Sequence, residues 1–321
     1  MISTAVCSRQ RVAATSCRHP TPCRSILGRG HYRKVELWRL LGRTGESGGV
    51  MRAFAVVGVV LTLLFGGASM VNAEVGSPPA PNSIAAIGDS ITRAADVCCW
   101  YGDHPANSWS TGGASWDGVA SHYERIRALN PEIAGRNYNN AVSGARMKAG
   151  PAQAVKSVSQ GAKYVTMLLG ANDLCTSSPS TMTLVHSFRT DYQQTLRTVI
   201  AGLPRRGRIF VSSIPDVYQL WEIYHSDSTA QFVWDTANIC QSLLDPSRTE
   251  EQRQAVRQRN IAFNAVLAKG CSLYARCRFD DNATFHLRFD RSDVSKLDYF
   301  HPSLSGQADL ARVTWTKSWW N

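Results

Sequence analysis

The sequence has no C-x-x-C pair and no H-E-x-x-H. Two common zinc-site spacings are therefore missing, and disulfides become the better reading of its cysteines. No internal repeat appears, which excludes a solenoid or a propeller. Apolar runs are short. Ala53 to Phe65 carries no charge, but it falls below the roughly 20 residues that a membrane span needs. Charge of one sign is scarce where it would matter. The whole chain has 35 Lys and Arg against 24 Asp and Glu, a formal net charge of +11. Residues 1–50 hold nine of those basic residues and only two acids, whereas 74–321 carry 25 against 22. A main body so nearly balanced is not a phosphate-binding surface, which argues against a nucleic-acid partner.

What is present starts with a leader. Met51-Arg52, the apolar stretch to Phe65 and a small-residue end at Val71-Asn72-Ala73 follow the three-part plan of a secretory signal peptide. Residues 51–73 are thus expected to be removed after Ala73, leaving no stable membrane span and a secreted, extracellular protein. Residues 1–50 precede that signal, are Arg-rich and lack periodicity. They read as a misplaced translation start. Residues 74–81 hold three prolines and read as a linker. The nine cysteines divide three and six. The six in the main body (Cys98, Cys99, Cys175, Cys240, Cys271 and Cys277) are disulfide candidates, and Cys271 and Cys277 are close enough in sequence to close a small loop.

From 82 to 321 strands alternate with helices. Strands are expected at 83–87, 136–142, 164–169 and 208–213, with helices over 181–203, 250–269 (Gly270 as its stop) and 303–320. That order predicts one α/β domain, a three-layer α/β/α sandwich around a mostly parallel sheet. Ligands sit beyond the carboxyl ends of such strands. Three polar stretches fall there: Ser90 after the first strand, Ser143-Gly144 after the second and Gly170 to Asp173 after the third.

Ser90 follows a short apolar run and reads equally as a helix N-cap or as a nucleophile. A nucleophile needs a base and an orienting acid. Asp298-Tyr299-Phe300-His301 supplies a carboxylate three residues before a histidine, close enough on a tight turn to fix one imidazole nitrogen. His225, with Glu222 three residues before it, is the rival base. Ser90 and Gly144, through their backbone N–H groups, and the Asn172 amide are the expected oxyanion donors. Asp89 reads as structural. The Gly45-Glu46-Ser47-Gly48-Gly49 stretch fits G-x-S-x-G but precedes the signal and follows no strand, so it is set aside.

Taken together, GDS (88–90), NNAVSGA (139–145), GAND (170–173) and DYFH (298–301) resemble the four blocks of SGNH, or GDSL-type, hydrolases. They occur in family order over about 82–318. The resemblance implies a flavodoxin-like fold, favours His301 over His225, and assigns Ser90, Asp298 and His301 to a catalytic triad. It implies a serine esterase or lipase with no cofactor and no metal. Further stretches, SWSTGGASWDG (108–118), GPAQAV (150–155), NDLC (172–175), IPDVYQLWEI (214–223) and HPSLSGQADLA (301–311), are similar to the phospholipase B-like branch. The expected partner is a small-molecule or lipid acyl ester, and the expected state is a monomer. Removal of O-acetyl groups from polysaccharides and an inactive binding module on the same fold are the alternatives. The vicinal Cys98-Cys99 has no place in the family pattern. Trp100, Tyr101, Trp109 and Trp116 form either an apolar rim for acyl chains or the packing of their own loop. Trp315, Trp319 and Trp320 read as packing or interfacial residues, and Asn282-Ala283-Thr284 fits a glycosylation acceptor.

Overall fold

The computed structural model describes residues 77–321. The expectations for 1–50, for 51–73 and for the first residues of 74–81 lie outside the described residues. Residues 77–81 are not a free linker. Pro81 is buried, the Pro78 carbonyl accepts a hydrogen bond from Trp320 Nε1 at 2.7 Å, and the Ala80 carbonyl accepts one from Asn130 Nδ2 at 3.0 Å.

Five strands form one parallel sheet: β1 (Ile84–Gly88), β2 (Asn137–Asn139), β3 (Tyr164–Leu168), β4 (Arg208–Val211) and β5 (Cys277–Phe279), in the order β2-β1-β3-β4-β5. The helices among the described residues are α1 (His122–Leu129), α2 (Gly150–Ser159), α3 (Ala171–Leu174), α4 (Val185–Gly202), α5 (Tyr218–Tyr224), α6 (Ser228–Thr236), α7 (Gln241–Leu244), α8 (Glu250–Cys271), α9 (Ala283–His286) and α10 (Leu304–Thr316).

Side chains alternate across a strand, so each strand feeds both faces of the sheet. Ile84, Tyr164 and Phe210 join Tyr123 and Ile126 of α1 and Trp315 of α10 in one buried cluster. Ala85, Ile87, Val165, Met167, Ile209 and Val211 join the apolar sides of α2, α4 and α8 in the other. The result is the expected three-layer α/β/α sandwich. The inner strands β1 and β3 are wholly buried, as a sheet covered on both faces requires.

Several boundaries differ from expectation, for local reasons. Gly270 does not stop α8. It lies inside the helix, where a Cβ would come within 2.5 Å of the Tyr192 ring, so the glycine lets α8 approach α4. The helix over 181–203 starts at Val185, because Pro179–Thr181 forms a separate single turn. The last helix ends at Thr316. Strand β5 and helices α1 and α2 were not foreseen. Of the six cysteines, Cys175 pairs with Cys240 and Cys271 with Cys277, the second closing the small loop expected of it. The other two candidates, Cys98 and Cys99, are not bridged and remain thiols. Burial and the neighbouring Cys99 push the Cys98 thiol up to about 11.

Candidate active site

The sheet order reverses between β1 and β3, and the crevice at such a switch point is where open α/β sheets take ligands. Strand β1 ends at Gly88, and the chain turns at once through Asp89 and Ser90. No side chain fits at Gly88, since a Cβ would lie 2.3 Å from Thr92 Oγ1 and 2.8 Å from the Leu168 carbonyl. Gln153 of α2 clamps this turn. Its Oε1 accepts from Gly88 N at 2.8 Å and its Nε2 donates to the Gly88 carbonyl at 2.9 Å. Asp89 is fully buried, and its Oδ1 accepts from Ile91 N at 3.0 Å. Burial pushes its carboxyl up to about 7. Asp89 thus bonds the backbone of the turn, as read from the sequence.

The loops after β2 and β3 meet beside this turn. Gly144 has φ +78° and Gly170 φ +134°, backbone that favours glycine. At Gly170 a Cβ would also strike Ile214 at 2.5 Å. Gly170 leads into α3, which carries Asn172, and Asn172 Nδ2 donates to the Ala145 carbonyl at 3.1 Å. Asp173 Oδ2 accepts from Met147 N at 2.7 Å, a second tie between the two loops. Among the described residues neither Ser90 N–H nor Gly144 N–H donates to another protein group.

His301 comes from the far end of the chain. A single antiparallel bridge between Val294 and Pro302 closes the loop that carries it, and Tyr299 takes φ +55° at the tip. Asp298 Oδ1 accepts from Phe300 N at 2.9 Å and His301 N at 3.1 Å, while Oδ2 accepts from His301 Nδ1. The other ring nitrogen, Nε2, is buried without a hydrogen-bond partner among the described residues. Burial opposes charge on this ring. The hydrogen bond and charge of Asp298, with Asp96 and Asp89 behind it, outweigh that and raise the His301 pKa above the ordinary histidine value. Asp298 is buried too, yet the same pairing holds its carboxyl below the usual range.

Ser90, Asn172 and His301 line one cleft, together with Ile91, Val217, Leu220, Ile223, Phe289 and Phe300. Gly144 sits outside that lining, exposed, on the loop whose next residue receives the Asn172 bond. Trp109 is not a rim residue. It is fully buried, its backbone N bonds Gln307 Oε1 at 2.9 Å, and its ring meets His122 edge-on. Trp100, Tyr101 and Trp116 are exposed, and none of them lines the cleft. His225 ends α5, with Nδ1 on the Trp221 carbonyl at 3.0 Å, and does not line the cleft either.

One residue escaped the sequence reading. Asp96 Oδ2 lies 3.7 Å from His301 Nδ1. Asp96, Asp298 and His301 make the one cluster of metal-ligand-type side chains among the described residues, with ligand atoms within 4.8 Å of one another. The Nδ1 that would face an ion already bonds Asp298.

Residues 84–313 match the model of the family described as GDSL-like Lipase/Acylhydrolase, well over half of the chain. The chain belongs to that family. By family, then, this GDSL-like protein is an ester-cleaving hydrolase. No curated protein matches it in sequence. It is similar to solved structures at low identity. An alpha/beta hydrolase enzyme from the metagenome of Lake Arreo is 15% identical, covering 73% of this chain and 94% of its own, with a TM-score of 0.47. An acetyl xylan esterase from Geobacillus stearothermophilus is 16% identical over 75% and 95%, at 0.46. An extracellular lipase from Streptomyces rimosus is 16% identical over 74% and 99%, at 0.44.

Proposed function

We propose that this GDSL-like hydrolase is a secreted serine esterase that cleaves acyl esters with an apolar acyl group, through an acyl-serine intermediate. The carrying observation is the order of contacts at His301: Asp298 holds Nδ1, and unpartnered Nε2 shares a cleft with Ser90. Ser90 Oγ attacks the ester carbonyl carbon and passes its proton to His301 Nε2. Asp298 keeps the ring in the right tautomer and stabilises the imidazolium. The oxyanion takes hydrogen bonds from the uncommitted N–H groups of Ser90 and Gly144 and from the second proton of the Asn172 amide. Nε2 then gives its proton to the leaving alcohol, the C–O bond breaks, and water repeats the sequence to free the acid.

The apolar lining favours an acyl chain over a bare acetyl group. The stretches similar to the phospholipase B-like branch point the same way, toward lipid esters. Two disulfides fit an oxidising, extracellular setting. The test is hydrolysis of p-nitrophenyl esters from acetyl to palmitoyl by protein exported to an oxidising compartment, beside Ser90→Ala. Activity should vanish in the variant and peak with a chain longer than acetyl. Hydrolysis that survives in Ser90→Ala would sink the serine reading, and an acetyl optimum would favour a deacetylase.

A further inference from the structure

Two carboxylates, not one, face Nδ1 of His301. The second is also held in place by backbone hydrogen bonds. Asp96 ends the turn that begins at Ser90 and has φ +52°, backbone that Asp tolerates better than most residues. A ring of two hydrogen bonds fixes it there: its N donates to the Gly102 carbonyl at 2.8 Å, and its Oδ1 accepts from Gly102 N at 2.6 Å. That commits Oδ1 and leaves Oδ2 toward the imidazole. Ser295 ties this arrangement to the histidine loop. Its Oγ donates to the Asp96 carbonyl, and its N donates to the His301 carbonyl at 2.8 Å. The chain therefore fastens Asp96 and His301 to the same serine, across nearly the full length of the domain.

We propose that Asp96 is a second positioning acid for His301, sharing with Asp298 the work of stabilising the imidazolium and able to hold Nδ1–H when Asp298 is uncharged. The proposal rests on Ser90 and His301 acting as described above. An imidazolium between two carboxylates is stabilised by both, whereas only one can accept from Nδ1–H at a time. Before the ring is charged, the two acids repel each other. Burial, and then the charge of Asp298, hold the Asp96 carboxyl above its ordinary range against the pull of Gly102 N. The other acids nearby are accounted for. Asp89 faces His301 from the end of β1. Asp216 and Asp293 line the cleft, but Asp216 is paired with Arg257 at 2.7 Å, and Asp293 accepts from Ser305 Oγ at 2.7 Å and Asp290 N at 2.9 Å.

The experiment compares Asp96→Asn, Asp298→Asn and the double variant by kcat/KM on one p-nitrophenyl ester across pH, with Ser90→Ala as the blank. Asparagine keeps an Oδ1 acceptor for Gly102 N, and melting temperatures report folding. If Asp96→Asn does not fold, Asp96→Ser replaces it. Alone, loss of Asp96 should cost less than about 10-fold and move the acid limb of the profile to lower pH. In the Asp298→Asn background it should cost at least 10-fold more than it does alone, because the reserve acid is then removed. Asp298→Asn by itself should lose clearly less than the roughly 10⁴-fold seen where a triad acid has no substitute. An equal cost of Asp96→Asn in both backgrounds, with an unmoved acid limb, overturns the proposal. Activity persisting in Ser90→Ala would instead overturn the serine reading on which it rests.

Discussion

His122 is fully buried and His301 is half-buried, and they behave in opposite ways. His122 lies in the layer between the sheet and the α1/α10 pair, ringed by Trp109, Tyr164, Phe210 and Trp315. Both its nitrogens are used: Nδ1 meets Tyr164 Oη at 3.0 Å and Nε2 meets Thr314 Oγ1 at 2.9 Å. The Thr314 hydroxyl spends its own proton on the Leu310 carbonyl, so it must accept from Nε2–H, and Nδ1 must accept from the tyrosine. A neutral ring satisfies every partner, and burial pulls its pKa down to about 3. His301 keeps about a seventh of its side chain exposed (14%), is faced by carboxylates on one nitrogen, and has no hydrogen-bond partner for the other, buried one among the described residues. Burial alone does not suit a histidine to act as a base; acidic neighbours and one uncommitted nitrogen are what the proposed role of His301 draws on.

The contrast is broken most directly by exchanging each ring for an amide. His301→Gln should lower kcat about 10⁴-fold or more while leaving the fold intact. His122→Gln should leave kcat within a few-fold per folded molecule but cost about 2–4 kcal/mol of stability in denaturant titrations, since buried hydroxyls lose their partner and a packed ring is lost. A large kcat loss in a folded His122→Gln protein would mean that the two histidines are not separate in function.

Acid sharpens the difference. His122 binds its proton far more weakly when folded than an unfolded histidine does at about 6.5. Between those values the unfolded chain takes up a proton that the folded one refuses, so stability is lost as pH falls from about 6.5 toward 3. At about 1.4 kcal/mol per pH unit, this one group accounts for several kcal/mol of acid sensitivity. His301 has the opposite sign. Its raised value favours the folded state below about 6.5, and that contribution fades as pH rises through its folded pKa. Stability measured from pH 3 to 7 should therefore fall less steeply on acidification in His122→Gln than in wild type. Parallel curves would remove His122 as the acid-sensitive group.

The sequence separated these two histidines for a simple reason: only His301, and not His122, has a carboxylate three residues before it. Short-range chemistry of that kind was legible, as were β1, β3 and β4, whose apolar runs are long enough to mark buried strands. The edges were legible only in part. A strand is expected at 136–142, yet β2 spans only Asn-Tyr-Asn and is half-buried, and β5, Cys-Arg-Phe, has no such signal. Edge strands need little apolar pattern, because one side and often one face stay open. Helices α1 and α2 are short, and α1 owes its start to a capping box between Ser121 and Glu124 rather than to a long apolar stripe. Trp109 shares its stretch of sequence with exposed Trp100, Tyr101 and Trp116, and composition cannot tell a loop's anchor from its rim. Asp96 was invisible for a deeper reason. Its place beside His301 depends on Ser295, 199 residues away, and no local spacing encodes that.

The finest test of the contrast is the acid limb of activity. In the proposed mechanism only neutral His301 accepts the Ser90 proton, so kcat/KM should rise with pH through a midpoint above 6.5, the ordinary histidine value. Asp89, the residue before Ser90, adds to this, with its carboxyl up to about 7. Above that value its charge favours the imidazolium, and below it the buried acid is largely neutral and contributes little. Asp89→Asn keeps an acceptor for Ile91 N while removing the charge, so the midpoint should drop by a few tenths of a pH unit, a smaller change than removal of Asp298 or Asp96 would cause. A wild-type midpoint below 6.5 would mean that burial outweighs the carboxylates, and that His301 is electrostatically a second His122.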